Sequence, residues 1–303
     1  MVNALSDIIN YMNQTINFVF FGTGPLAESV LASLVRNGYT PDIVVTKPDA
    51  MQGRHMQLTA PHIKTWCEMK GIKVLQPVKL DSEFSHQLVT SNYQLFIVAS
   101  YGKIIPDEVL NIPASGVLNV HPSLLPLYRG PSPIESALLD GVTTTGISIM
   151  KLDSGMDHGP ILLQNAFTIN PASTAQTLEV ECGQLGGELL VQVLPHYLDL
   201  TLIPKEQDHD KATVCKKITK DLGEITLTTR ADEVQRKFRA LTPWPGLYFF
   251  ITHKEKQVRI KVTAVDLLLE GTDTLVASDV ILKVVPEGKH EITWGDFVHG
   301  YMD

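Results

Sequence analysis

Short runs of bulky apolar residues recur through the first half of this chain, and the stretches between them carry helical periodicity. Asn17-Phe-Val-Phe-Phe21 closes on Gly22-Thr-Gly24, and Leu26 to Val35 then repeats its apolar residues at helical spacing until Asn37-Gly38. Asp42 to Thr46 is a second strand-like run. A helix from about Pro61 to Lys70, closed by Gly71, leads to Ile72–Gln76, and a helix near Ser82 to Thr90 leads to Leu95–Ala99. A crossover that contains a helix joins parallel strands, so the pattern predicts an α/β fold with a doubly wound, mostly parallel, Rossmann-like sheet. A helix near Pro106 to Asn111 precedes a further strand, Gly116-Val-Leu-Asn-Val-His121, which runs into the proline-rich loop Pro122 to Pro133. Gly146–Leu152 and Pro160–Thr168 are strand-like, and Thr174 to about Leu200 is one long helical pattern.

Beyond Leu200 the character changes. Thr201 to His209, with Pro204, is predicted as a linker. After it, short β-rich runs (Glu224–Thr228, Leu247–Thr252, Gln257–Val265, Val280–Val285) surround one helix near Ala231 to Ala240. Residues 15–200 are therefore predicted as one domain, 201–209 as the linker, and 210–303 as a smaller β-barrel domain of the OB-like kind. At 303 residues and 44% hydrophobic the chain can bury cores in both, which disfavours disorder, collagen and coiled coil. Its three cysteines are an odd number without a C-x-x-C pair, so neither a disulfide scaffold nor a cysteine-ligated zinc is predicted. No signal peptide or membrane span is expected near Phe18–Phe21, and the predicted compartment is cytoplasmic.

The net charge of −8 argues against indiscriminate nucleic-acid coating. The charge is unevenly spread, however. Residues 1–204 hold 10 Lys and Arg against 17 Asp and Glu, whereas 205–303 hold 15 against 16. Lys211, Lys216, Lys217, Lys220, Arg230, Arg236, Lys237 and Arg239 form a local basic concentration, either a solvated face or a phosphate-binding one.

Three constellations bear on chemistry. Gly22-Thr-Gly24-Pro-Leu-Ala27 after the first strand matches a nucleotide fingerprint, yet the acidic ribose ligand expected about 20 residues on is poorly matched by Asp49; a tight strand-to-helix turn is the simpler reading. Asn119 and His121, two apart in a strand, share a face at its carboxyl end. An amide donor beside an imidazole suits acyl or formyl transfer, although turn and packing roles also fit. Asp153-Ser-Gly-Met-Asp157-His-Gly159-Pro160 adds a carboxylate that could orient His121, or else an Asx turn with Gly159 at positive φ. A metal reading would draw on His121, Asp153, Asp157 and His158, but no ligand spacing supports it, so no metal is expected.

Asn119-Val-His-Pro-Ser-Leu-Leu-Pro-Leu-Tyr-Arg-Gly-Pro-Ser-Pro-Ile134 followed by Asp153–Pro160 resembles the signature of the 10-formyltetrahydrofolate-dependent formyltransferases. Lys216-Lys-Ile-Thr-Lys-Asp-Leu-Gly-Glu-Ile225 and Ala240-Leu-Thr-Pro-Trp-Pro-Gly246 resemble the C-terminal domain of that family's methionyl-tRNA branch, so the likeness runs from Phe18 onward. The resemblance implies Asn119, His121 and Asp157 as catalytic residues. It implies that the folate co-substrate, 10-formyltetrahydrofolate, is held by Ser123, Leu124, Leu125 and Pro126 with Tyr101, Lys103 and Ile105. It further implies initiator methionyl-tRNA as the partner, met by Arg54 in the loop Lys47–Leu58 and by Lys216, Lys217, Arg236 and Lys237. No membrane and no obligatory protein partner are expected. Two features depart from the family pattern: the proline of the first turn is displaced by one, and Met56 and Gln57 stand where lysines are common. The second removes charge from the tRNA-facing loop and shifts the phosphate contacts toward Arg236-Lys-Phe-Arg239. The competing readings are a formyltransferase for a nucleotide-linked amino sugar or other small amine, an NAD(P)-dependent dehydrogenase using the Gly22–Ala27 turn, and a tRNA-binding module without catalysis.

Overall fold

The computed structural model describes residues 16–52, 56–269 and 274–302. In chain order the elements begin with β1 (Phe18–Gly22), α1 (Pro25–Arg36), β2 (Ile43–Val45), the hairpin of β3 (Ala50–Gln52) and β4 (Gln57–Thr59), α2 (His62–Met69) and β5 (Lys73–Leu75). They continue with α3 (Ser82–Val89), β6 (Leu95–Ala99), α4 (Asp107–Leu110), β7 (Val117–His121), α5 (Pro133–Asp140), β8 (Thr144–Lys151), β9 (Ile161–Thr168) and α6 (Ala175–Leu198). The remainder comprises α7 (Ala231–Leu241), β10 (Leu247–His253), β11 (Lys256–Val265), α8 (Ala277–Val280), β12 (Ile281–Pro286), β13 (Ile292–Thr293) and α9 (Trp294–Tyr301). Among the described residues no helix is long and apolar enough to cross a membrane.

Two compact units result. The first gathers the described residues up to Gly130 with Gly146–Phe167 and Glu179–Val214. The second is Pro131–Thr145, Thr168–Leu178 and the described residues from Cys215 onward. The sheet of the first unit has the order β5-β2-β1-β6-β7-β8-β9, parallel from β5 to β7 and antiparallel between β7 and β8. The mostly parallel, Rossmann-like sheet predicted from the alternating pattern is thus present. Every residue of β1, β6 and β7 is buried, because a parallel sheet is covered on both faces and its strands need apolar side chains in both directions. From β1 the order runs one way through β2 and β5 and the other way through β6 and β7. The reversal between β1 and β6 is where such sheets open a crevice at their carboxyl ends, and β7 lies beside it.

The first glycine turn is a packing device. A Cβ on Gly22 would stand 2.5 Å from Ala27 Cβ, 2.7 Å from Phe20 Cε1 and 2.9 Å from Ala99 O, whereas one on Gly24 would meet nothing closer than Ser100 Oγ at 3.6 Å. Gly22→Ala should therefore cost roughly 1–3 kcal/mol through overpacking. The measurement is thermal unfolding, and an unchanged Tm would refute this account of the turn.

In the second unit the predicted β-rich C-terminal domain takes the form of a four-stranded antiparallel sheet, β10-β11-β12-β13. Phe249 packs edge-on to Phe297 and Trp294 of α9, a helix the sequence pattern does not announce. Glu224–Thr228 is not the strand predicted. A 3-10 turn at Lys220–Gly223 leads to one bridge, Glu224 with Tyr248. After it, Thr229 Oγ1 accepts the Thr226 N–H at 2.9 Å, and the hydroxyls of Thr226, Thr228 and Thr229 bond to one another. These local side-chain bonds bend the backbone where β-branched composition alone suggests extension.

Candidate active site

The alternation of β7 places Asn119 and His121 on one face, and both are buried. His121 Nε2 lies 2.9 Å from the carbonyl oxygen of Tyr128. A carbonyl only accepts, so Nε2 carries the proton and Nδ1 faces the other way. There it stands 3.6 Å from Asp157 Oδ1. Asn119 Nδ2 donates to the same oxygen at 3.3 Å, and the backbone N–H of Gly130 donates to Asp157 Oδ2 at 2.8 Å. The structure therefore brings Asn119, His121 and Asp157 together at the carboxyl end of β7.

The loop that delivers Asp157 is shaped differently from the turn considered above. Asp153 does form an Asx turn, its Oδ1 accepting the Gly155 N–H at 2.9 Å. The left-handed residue, however, is Asp157 itself, with φ of 47°, rather than Gly159. Gly159 is needed for close approach, since a Cβ there would stand 2.1 Å from Lys151 O. Tyr128 and Gly130, whose backbones hold His121 and Asp157, are also left-handed, at 57° and 112°. Neither backbone contact is visible in a sequence, because a carbonyl and an N–H leave no residue-type signal.

The remaining predicted residues fall in distinct settings. Ser123 is fully buried: its hydroxyl donates to Leu127 O at 2.6 Å and its carbonyl accepts from Ser148 Oγ at 2.7 Å. Leu125 is buried, with its N–H on Ser148 Oγ, while Leu124 and Pro126 are half-buried. Tyr101 lies in the core edge-on to Phe21, and burial pushes its phenol up to about 12. Its hydroxyl has no hydrogen-bond partner among the described residues. Lys103 Nζ donates to Pro77 O and Val78 O, and half-buried Ile105 packs on the same core as Tyr101. Between them Ile104 is 94% exposed, an apolar side chain that no pattern in the sequence marks out. Arg54 lies outside the described residues. Lys216 and Lys217 are exposed. Arg236 and Lys237 are instead tied within α7 to Asp232 at 2.7 Å and Glu233 at 3.0 Å.

The metal alternative does not assemble: His158 pairs with Asp153, His121 with Asp157, and among the described residues no three His, Cys, Asp or Glu side chains converge. The dinucleotide alternative fares no better. Asp49 is engaged by Gln76 Nε2 at 2.7 Å and by Lys64 at 3.0 Å. The Gln76 hydrogen bond first, then Lys64, holds its carboxyl below the usual range, so it is not free for a ribose.

The formyl transferase family matches residues 15–194, and the formyl transferase C-terminal domain matches 217–302. The methionyl-tRNA formyltransferase of Chloroflexus aggregans is 44% identical over 233 residues, covering 77% of this chain and 75% of that protein. That of Thermodesulfovibrio yellowstonii is 36% identical over 295 residues, covering 93% and 95%. Among solved structures, the methionyl-tRNA formyltransferase from Clostridium thermocellum superposes with a TM-score of 0.59 at 16% identity, over 92% of this chain and 99% of that one, a likeness of fold. With both domains matched in order and relatives aligned nearly end to end, the chain belongs to the methionyl-tRNA formyltransferases of the formyl transferase family.

Proposed function

We propose that this chain transfers a formyl group from 10-formyltetrahydrofolate to the α-amine of initiator methionyl-tRNA. The observation that carries the chemistry is the convergence of Asn119, His121 and Asp157 at the carboxyl end of β7. Residues 15–200 are assigned the transfer and 210–303 the tRNA, with 201–209 between them. The half-buried Leu124, Pro126 and Ile105 suit a flat heteroaromatic donor. When bound, that donor supplies the formyl carbon.

His121 Nδ1 takes the proton that the attacking amine loses as its nitrogen bonds to the formyl carbon. The resulting imidazolium is paired with Asp157 Oδ1, and Nδ1 returns the proton to the folate nitrogen as its bond to carbon breaks. Asn119 donates its amide toward the charge that develops on the formyl oxygen. Asp157, anchored by the Gly130 N–H, keeps both partners aligned. Products are formylmethionyl-tRNA and tetrahydrofolate, with no net proton lost. The test is purified protein with 10-formyltetrahydrofolate and charged initiator tRNA, assayed for formylmethionine. No product under those conditions refutes the reading.

On the acceptor side, exposed Lys216 and Lys217 meet phosphate more freely than Arg236 and Lys237, whose charges are already answered within α7. Neutralising Lys216 and Lys217 should raise KM for methionyl-tRNA, leave the folate KM unchanged, and flatten the slope of log K against log salt by about 0.7 to 0.9 for each phosphate no longer neutralised. An unaltered slope would remove both lysines from the interface.

A further inference from the structure

The segment after α6, which the sequence presents as a tether, is stitched into the first unit from two ends. At one end Lys205 and Ile161 exchange backbone hydrogen bonds of 2.7 and 2.8 Å. At the other, Thr213 is fastened to the loop that follows β7. Its N–H donates to Pro126 O, its carbonyl accepts the Arg129 N–H at 2.9 Å, and its hydroxyl accepts the Tyr128 N–H at 2.8 Å. Between these staples sits Gln207, 5% exposed. Its Nε2 donates to the carbonyls of Asp157 at 2.9 Å and Gly159 at 2.7 Å. Its Oε1 accepts from Arg129 Nε at 3.1 Å and Nη2 at 2.7 Å. Both amide hydrogens and both lone pairs are thereby used, the full capacity of a carboxamide. Arg129 Nη2 also lies 2.8 Å from His209 Nδ1, which must be an acceptor because a guanidinium only donates.

The position of this pair explains how the reacting groups are held. Arg129 stands between Tyr128, whose carbonyl fixes the Nε2 proton of His121, and Gly130, whose N–H anchors Asp157 Oδ2. Gln207 grips the peptide of Asp157 itself. Tyr128 and Asp157, neither a glycine, have left-handed backbones that persist only where neighbouring contacts over-determine them. The Arg129–Gln207 pair is a second link between these two strained loops, beside the bond from the Gly130 N–H to Asp157 Oδ2.

We infer that Gln207 and Arg129 are positioning residues for formyl transfer. Neither touches the reacting atoms. Together they hold the Asp157 carboxylate in register with His121 and Asn119, so that residues of the supposed tether complete the site. The inference rests on the reading of Asn119, His121 and Asp157 as the reacting cluster.

Gln207→Leu deletes all four bonds at similar volume, and Gln207→Glu keeps the acceptor toward Arg129 while turning a carboxylate oxygen onto two carbonyls. Each should lower kcat by about 10- to 100-fold, the scale of a sub-ångström to ångström misplacement, with both KM values within about threefold. Combined with Asp157→Asn, Gln207→Leu should cost less than about threefold more, because its effect passes through the carboxylate already removed. A merely structural role would add in full. A second readout needs no turnover: in full-length protein with 15N-histidine, the His121 ring signals should move in Gln207→Glu and in Arg129→Lys in the direction they move in Asp157→Asn. If the wild type fails to formylate but these signals move, the acceptor or donor assignment falls and the positioning role stands. If the wild type formylates while the Gln207 variants keep kcat within about threefold, or the losses are additive, or the His121 signals stay put, the inference is overturned.

Discussion

His121→Ala is expected to lower kcat for formyl transfer by about 10²- to 10⁴-fold, the range for losing a positioned proton carrier, with little change in either KM. The size follows from geometry. With Nε2–H committed to the Tyr128 carbonyl, Nδ1 is the one imidazole atom open to the reaction, and it stands 3.6 Å from Asp157. Alanine removes the proton acceptor and the cation that Asp157 steadies. It also removes the hydrogen bond from His121 Nε2 to the Tyr128 carbonyl, at about 1 kcal/mol of stability. Tm should therefore fall slightly while the rate collapses. Single-turnover measurement with charged tRNA separates the two effects, and a rate within about threefold of wild type would take His121 out of the mechanism.

Asn119→Ala should reduce kcat by about 10²- to 10³-fold, the scale for one lost oxyanion donor. Asn119 lies in the middle of β7, where its backbone pairs with β6 and β8 whatever the side chain, so the sheet should survive the substitution. Asn119→Asp sharpens the test. It is close in shape but sets a second carboxylate 3.3 Å from Asp157 Oδ1 and donates nothing when ionised. It should be no better than alanine at neutral pH, and recovered activity in Asn119→Asp would mean that amide donation is not what position 119 supplies.

The parts of this molecule legible in its sequence are those whose causes are local. Leu95–Ala99 is a strand with the bounds its composition suggests, because five consecutive apolar residues buried on both faces leave little else to form. Asn119 and His121 share a face because alternation in a strand is local geometry. The β3–β4 hairpin escaped the same treatment, since Met51 and Leu58 are exposed and the strands lack a buried alternating face. Glu224–Thr228 misled because β-branched residues favour strands on average, while these particular hydroxyls bond to one another. The grip of Gln207 on Asp157 spans 50 residues, and its carboxamide meets Arg129 78 residues away. Such a pairing has no period or neighbour to betray it, so a strap of buried polar contacts looked like a spacer.

The chain enters the second unit three separate times, at Pro131, Thr168 and Cys215. On a ribosome this sets an order of events. Helix α5, with Ile134, Ala137 and Leu138 buried in the finished protein, emerges long before the bulk of its own unit, which begins only at Cys215. The first unit in turn waits for Glu179–Val214, the stretch that brings Gln207. Domains ordinarily fold one after another as they leave the exit tunnel. Here a nascent chain halted at Pro204 would own fragments of both units and the whole of neither, so no single splice point at that position exchanges one half for that of a relative.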